Sequence, residues 1–171
     1  MEIERKFLPQ DKKYVDFKYS NEFNGINGIL INQAYVSYGN PEVRIRQEKV
    51  RGYNEFTVTI KTPVSDVERK EVVIGIAESH FYYMAQNMVI SNWINKMRTP
   101  ICLPNKKYKS ADVDEYLGEY DAHEGLVVIE VEFYSLQQAE EFSPPEWFGL
   151  EVTGNPLYKN ANLAKKKECV K

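Results

Sequence analysis

Cysteine is nearly absent from this 171-residue chain: there are two, Cys102 and Cys169. They form no CxxC pair, so a disulfide scaffold and a cysteine zinc site are excluded, and they read as reduced thiols. Histidine is as scarce. His80 and His123 stand apart, which argues against a His-ligated metal or a His nucleophile. No stretch approaches the ~18 consecutive apolar residues of a membrane helix. The sequence opens on charges, Met1-Glu2-Ile3-Glu4-Arg5-Lys6, which leads us to expect no signal peptide and a cytoplasmic location. Charge of one sign is lacking too. Lys and Arg number 22 against 25 Asp and Glu, a net charge of −3, too mild for a histone-like or polybasic membrane partner. No solenoid repeat or long low-complexity run appears.

What is present is an ordinary globular balance, 43% hydrophobic and 27% charged. The length predicts one domain over residues 1–171, large enough to fold without metal or disulfides.

Period-2 alternation dominates the chain. Glu2, Glu4 and Lys6 alternate with Ile3, Arg5 and Phe7. Gln33 and Tyr35 alternate with Ala34 and Val36, and Arg44 and Arg46 with Val43 and Ile45. Thr57, Thr59 and Lys61 alternate with Phe56, Val58 and Ile60. Lys96 and Arg98 flank Met97, Asp112 and Asp114 flank Val113, and Glu130 and Glu132 alternate with Ile129, Val131 and Phe133. Turn residues separate the runs, as at Arg51-Gly52-Tyr53-Asn54. Eight or nine short strands suggest an antiparallel sheet closed or nearly closed on itself. Helices are few. Phe81, Met84, Ala85 and Met88 at i, i+3, i+4, i+7 predict an amphipathic helix over about 78–89 that covers a sheet face. Ser135-Leu136-Gln137-Gln138 has capping-box form and predicts a short helix to about Phe142, and Tyr158–Lys167 could form another.

Any one of these strands is explained by one wet face and one apolar face. The set carries more, because the polar positions come as like-charged pairs: Glu-x-Glu, Arg-x-Arg, Lys-x-Arg, Asp-x-Asp. Residues i and i+2 share a face, so each pair repels itself and wants a counter-ion. Paired carboxylates suit hard oxygen-seeking cations such as Mg²⁺ or Mn²⁺. Paired Arg and Lys suit phosphate. With this face turned inward and the apolar face covered by helices, the two sets converge on a highly charged ligand such as a polyphosphate or nucleoside triphosphate.

Glu2-Ile3-Glu4-Arg5-Lys6 resembles the ExExK motif of the CYTH domain, also called the triphosphate tunnel metalloenzyme family. Val43-Arg44-Ile45-Arg46, Thr59-Ile60-Lys61, Arg69-Lys70-Glu71, Lys96-Met97-Arg98, Val113-Asp114 and Glu130-Val131-Glu132-Phe133 resemble its later strands in order. Glu151-Val152-Thr153 and Tyr158-Lys159-Asn160-Ala161-Asn162-Leu163-Ala164 resemble its C-terminal signature. Three positions depart from the pattern: Ala111, Val73 at a usual acid, and Met97 at a usual small polar residue.

The resemblance implies a mainly β fold with outer helices (α+β), a closed eight-stranded antiparallel β tunnel with a charged interior. It implies a cytoplasmic, metal-dependent triphosphate hydrolase that cleaves the terminal phosphate of inorganic tripolyphosphate or a related triphosphate. Class IV adenylate cyclase, thiamine triphosphatase and a non-catalytic polyphosphate or nucleotide binder stay open as alternatives. Glu2, Glu4 and Glu132 are expected to hold Mg²⁺ or Mn²⁺, with Glu130 and Asp114 as further metal ligands. Glu71 and Asp114 are expected to position water, and the catalytic set is Glu2, Glu4, Lys6, Glu71, Asp114, Glu130 and Glu132. Lys6, Arg44, Arg46, Lys61, Arg69, Lys96 and Arg98 are expected to clamp the phosphates. Tyr35 either stacks on a ligand or fills the tunnel mouth. Tyr158 and Asn160 are expected to plug one end, while Lys106, Lys107 and Lys109 read as solvated. The partner is a small-molecule triphosphate, with no membrane and no sequence-specific nucleic acid, in a monomer or homodimer.

Overall fold

The computed structural model describes residues 3–10, 13–14, 28–63, 69–103, 107–118 and 125–165. Nine strands form one sheet: β1 (Ile3–Pro9), β2 (Ile29–Ser37), β3 (Glu42–Val50), β4 (Tyr53–Pro63), β5 (Arg69–Gly75), β6 (Ile94–Pro100), β7 (Ser110–Tyr116), β8 (Val127–Phe133) and β9 (Phe148–Glu151). The order across the sheet is β5-β4-β3-β2-β6-β7-β8-β1-β9, and every neighbouring pair is antiparallel. The fold is therefore mainly antiparallel β with few helices. It departs from the eight-stranded closed barrel in two ways: β9 adds a short ninth strand, and among the described residues the outermost strands β5 and β9 do not pair with each other.

The hairpin between β3 and β4 shows how local chemistry sets register. Arg51 and Gly52 both take positive φ, 49° and 86°. A two-residue loop with that conformation matches the natural twist of the flanking strands. It fixes Arg44 opposite Thr59 and Arg46 opposite Thr57, so both arginines face the same side as the threonines.

The sheet's other side is apolar, as the alternation predicts, and two patches of it are covered, while Val72 and Ile74 on β5 stay exposed. Helix α1 (Glu78–Asn87) lies on Ala34, Ile45 and Phe56 through Phe81, Met84 and Ala85. Phe56 and Phe81 rings meet at 5.0 Å. Met88 does not join them. It caps α1 and is 43% exposed, because the helix ends before its side chain can turn onto the sheet. The second patch, Ile3, Phe7, Val113, Ile129, Val131 and Phe133, is covered by Ala139 of α2 (Leu136–Glu141) and by Phe142, Trp147 and Phe148. Ser135 caps α2 by accepting from the Gln138 N–H at 3.2 Å, while Gln138 accepts from the Tyr134 N–H at 3.0 Å. That is the reciprocal cap its sequence predicts, displaced by one residue.

The C-terminal segment is not the continuous helix expected over Tyr158–Lys167. A 3₁₀ turn (Pro156–Tyr158) and α3 (Asn160–Leu163) are separated by Lys159, whose ψ of 126° breaks the helix. No helix among the described residues is long and apolar enough to cross a membrane.

Candidate active site on the charged sheet face

The charged face is buried. Lys96, Asp114 and Gln33 have 0% exposure, and Thr59, Tyr35, Arg44, Lys6 and Glu130 are buried with them. A water-facing sheet surface does not hide charges this way, since desolvating an ion without a partner is prohibitive. The sheet curls so that this face is concave. Leu8 of β1 and Tyr35 of β2 belong to one apolar cluster although β6, β7 and β8 separate their strands in the sheet.

The centre of the face is a chain of ion pairs on β6, β7, β8 and β1. Register sets it: Arg98 stands opposite Asp114, Asp112 opposite Glu130, and Lys6 opposite Glu130. Asp114 accepts from Lys96 Nζ and from Arg98 Nε and Nη2, the latter two at 2.7 Å. Glu130 accepts from Arg98 Nη2 at 2.6 Å and from Lys6 Nζ at 2.7 Å. Arg98 also lies 3.5 Å from Asp112, and Lys6 3.3 Å from Glu4.

Burial pushes every one of these groups toward its neutral form, and the network decides which resist. Lys6 is held above its ordinary range because Glu130 and Glu4 outweigh burial. Arg98 is likewise raised by Asp114 and Glu130 against burial. Glu130 is depressed, with Lys6, Lys96 and Arg98 overcoming burial, and Asp114 is depressed by Lys96 and Arg98. Lys96 goes the other way, down to about 8: burial, reinforced by Arg98 and Arg46, exceeds the attraction of Asp114 and Glu130. Asp112 is raised by burial and by its acidic neighbours, despite Arg98.

Strands β3 to β5 carry the second basic group. Arg46 donates to Gln33 Oε1 through Nε at 3.1 Å and Nη2 at 2.9 Å, and to Glu48 at 2.9 Å. Burial and the nearby Arg44 and Arg98 lower its pKa to about 10. Arg44 donates to Thr59 at 3.2 Å and lies 3.8 Å from Glu71, which is also 3.6 Å from Lys61. Glu130 and Glu132 are taken by other cations: Lys6 and Arg98 pair with Glu130, and Lys109 with Glu132 at 2.8 Å.

The structure thus brings Glu4, Lys6, Arg44, Arg46, Lys61, Glu71, Lys96, Arg98, Asp114, Glu130 and Glu132 to one face. Glu2 lies outside the described residues, as does the side chain of Arg69. Val73 shares that face by alternation but sits near the β5 edge, 59% exposed, and offers no oxygen. At one end of the face Tyr35 is buried: it stacks on Tyr38 at 5.4 Å and packs with Tyr116, Leu163 and Ala164. The same cluster includes Tyr158, and Tyr116 donates its hydroxyl to Asn160 at 2.6 Å, so the C-terminal segment does cover this end.

Sequence reasoning assigned no site role to Gln33 or Asp112 and read Lys109 as solvated, whereas Lys109, half-exposed, pairs with Glu132. Gln33 and Asp112 lie on the charged alternation and were legible there. Lys109 precedes β7 in a lysine-rich loop, and only the fold places it on Glu132.

Among the described residues no group of three or more acidic, histidine or cysteine side chains is gathered as a metal site, and the carboxylates that come closest to one are Glu4 and Glu132. They are direct cross-strand partners on this face, and like charges set opposite each other are destabilising without a compensating cation. Lys6 and Lys109 meet part of that need. Asp114 and Glu130 are already engaged by the buried basic groups.

No family model matches the chain. It is 32% identical over 169 residues to the inorganic triphosphatase of Acetivibrio thermocellus, covering 96% of this chain and 93% of that protein. It is 31% identical over 165 residues to the inorganic triphosphatase of Nitrosomonas europaea, covering 95% and 96%. Among solved structures it resembles the inorganic triphosphatase NE1496, with a TM-score of 0.63 and 28% identity over 98% of this chain and 96% of that one. The PH1819 protein of Pyrococcus horikoshii shares the fold, with a TM-score of 0.57 at 20% identity over 82% of this chain and 81% of that one. With two relatives above 30% identity that span nearly its whole length, the chain belongs to the inorganic triphosphatase family.

Proposed function

We propose that this protein is a metal-dependent triphosphatase that releases the terminal phosphate of inorganic tripolyphosphate or a close relative. One observation carries the reading: a buried, concave sheet face on which Lys6, Arg44, Arg46, Lys96 and Arg98 are pre-positioned. The named activity of its relatives supports the same substrate class. The CYTH-type motifs and the curling of the sheet support a tunnel-shaped site.

Hydrolysis of a phosphoanhydride asks for positioning and charge stabilisation rather than covalent help from the protein. The basic face neutralises the polyanion, and arginine forks orient it. Water attacks the terminal phosphorus; the P–O bond to the rest of the chain breaks; phosphate and pyrophosphate leave, with the water's proton going to solvent or a carboxylate. Glu4 and Glu132, with Glu2, are the residues suited to hold Mg²⁺ or Mn²⁺, which when bound would polarise phosphoryl oxygens. Arg44 and Lys61 suit a further phosphate, with Glu71 beside them as a carboxylate that can position water. In the low-dielectric interior these fixed charges act more strongly than on an open surface.

The test is product analysis with tripolyphosphate, ATP and thiamine triphosphate in Mg²⁺ or Mn²⁺. Phosphate from tripolyphosphate supports the proposal. Cyclic AMP with pyrophosphate from ATP would move the protein to the cyclase class, and tight binding without turnover would leave a polyphosphate-binding module.

A further inference from the structure

Gln33 is the buried residue of the charged face whose hydrogen bonding is half complete. It has 0% exposure in the middle of β2, between Arg46 on β3 and Ile94 on β6. Its Oε1 accepts twice from Arg46, from Nε at 3.1 Å and Nη2 at 2.9 Å. That settles which way the amide points, since the reverse orientation would set N–H donors against a guanidinium that has no acceptor. The amide nitrogen, Nε2, is then a buried donor with no partner among the described residues. Arg44 Nε, on the adjacent strand and the same face, is a second buried donor without one.

Buried donors are satisfied as a rule, and an orphan needs a reason. The acidic groups that could have quenched Gln33 are committed elsewhere: Glu48 to Arg46, Glu71 to Arg44 and Lys61, Asp114 to Lys96 and Arg98. An apolar residue would have avoided the cost if only packing were at stake. A glutamate would have held Arg46 more tightly but would repel an anion. A neutral amide holds the arginine and still presents N–H groups.

We infer that Gln33 is a substrate-binding residue: its carbonyl oxygen orients Arg46 while its Nε2 donates to a non-bridging oxygen of the bound triphosphate, beside Arg44 Nε. This rests on the triphosphatase reading and names a neutral donor within that site.

The test uses the whole protein and metal-free tripolyphosphate, so that binding is seen without turnover. Calorimetry first establishes that tripolyphosphate binds. The Gln33 side-chain NH₂ pair is assigned in a ¹⁵N–¹H spectrum of the wild type through its connection to the residue's own backbone resonances. In the wild type that pair is expected to move downfield as tripolyphosphate saturates. Gln33→Met should weaken binding about 10- to 100-fold, the usual range for a hydrogen bond to a charged group. An NH₂ pair that stays fixed while tripolyphosphate saturates overturns the inference and leaves Gln33 as a support for Arg46. That measurement is made on the wild type, so it stands even if Gln33→Met folds poorly. No tripolyphosphate binding at all would instead overturn the functional reading beneath it.

Discussion

Asp114→Asn isolates what the buried network costs and supports. Asp114 has 0% exposure and accepts three charge-assisted hydrogen bonds, one from Lys96 and two from Arg98. The amide keeps the shape but removes the charge, so Lys96 loses its direct counter-ion and Arg98 keeps only Glu130 as a close one. Breaking a buried pair on one side costs about 3–5 kcal/mol. Because Glu130 and one amide oxygen remain, the lower part of that range applies, about 3 kcal/mol. For a protein of this size each kcal/mol lowers Tm by about 2–4 °C, so the loss is roughly 6–12 °C. The assay is thermal unfolding at pH 6.5, where Lys96 finds least relief in losing its proton. Asp112→Asn is the control. Asp112 has a single, longer contact to Arg98 at 3.5 Å and is pushed toward protonation by burial, so its loss should cost under about 1 kcal/mol. Adding metal-free tripolyphosphate should raise the Tm of Asp114→Asn more than that of the wild type, because the anion replaces the missing charge. Equal Tm values for the two variants, within about 2 °C, would refute the assignment of Asp114 as the network's keystone.

Three other outcomes follow from the same geometry. Lys96 has a folded pKa of about 8 against an ordinary 10.5, so between those values the unfolded chain binds more protons and folding becomes more favourable as pH rises. Denaturant titrations from pH 8 to 10.5 should therefore show the stability of the wild type rising relative to Lys96→Met; a flat difference contradicts the lowered pKa of the buried lysine. A Cβ at Gly149 would lie 2.8 Å from the Leu8 carbonyl oxygen, so Gly149→Ala should force β9 off β1 and lose about 1–3 kcal/mol by thermal unfolding, with kcat/KM little changed. Arg5 points to the outer face, paired twice with Glu151 at 2.7 and 2.9 Å and donating to the Ala139 and Phe142 carbonyls; Arg5→Met should lower Tm and leave KM for tripolyphosphate unmoved, whereas a large KM change would place Arg5 in the site.

Strand positions were legible because alternation of charge and hydrophobe has the same period as the β pleat. The lengths of β3 and β4 and the turn at Arg51-Gly52 follow from residues adjacent in sequence. The site was legible as a set for the same reason: like-charged pairs at i, i+2 can only share a face. What sequence could not supply was partnership across the sheet. Arg44 and Glu71 meet because β3, β4 and β5 are consecutive, but Lys6 meets Glu130 only through the long-range pairing of β1 with β8. Lys109 and the orphan amide of Gln33 depend on such non-local contacts. The ends of helices were also beyond reach: Met88 fits the spacing of α1 but lies past its last turn, and Lys159 breaks a C-terminal pattern that reads as continuous.

The most direct test of the central claim is phosphate release from tripolyphosphate in Mg²⁺ or Mn²⁺, with wild type beside Glu4→Gln. Glu4 stands opposite Glu132 at the carboxylate end of the face, and the exchange removes one charge without changing shape. The account predicts rapid release of phosphate by the wild type, a fall of at least about 100-fold in Glu4→Gln, and retained binding of tripolyphosphate by the basic residues. Undiminished turnover in Glu4→Gln, or no phosphate from the wild type, would contradict it.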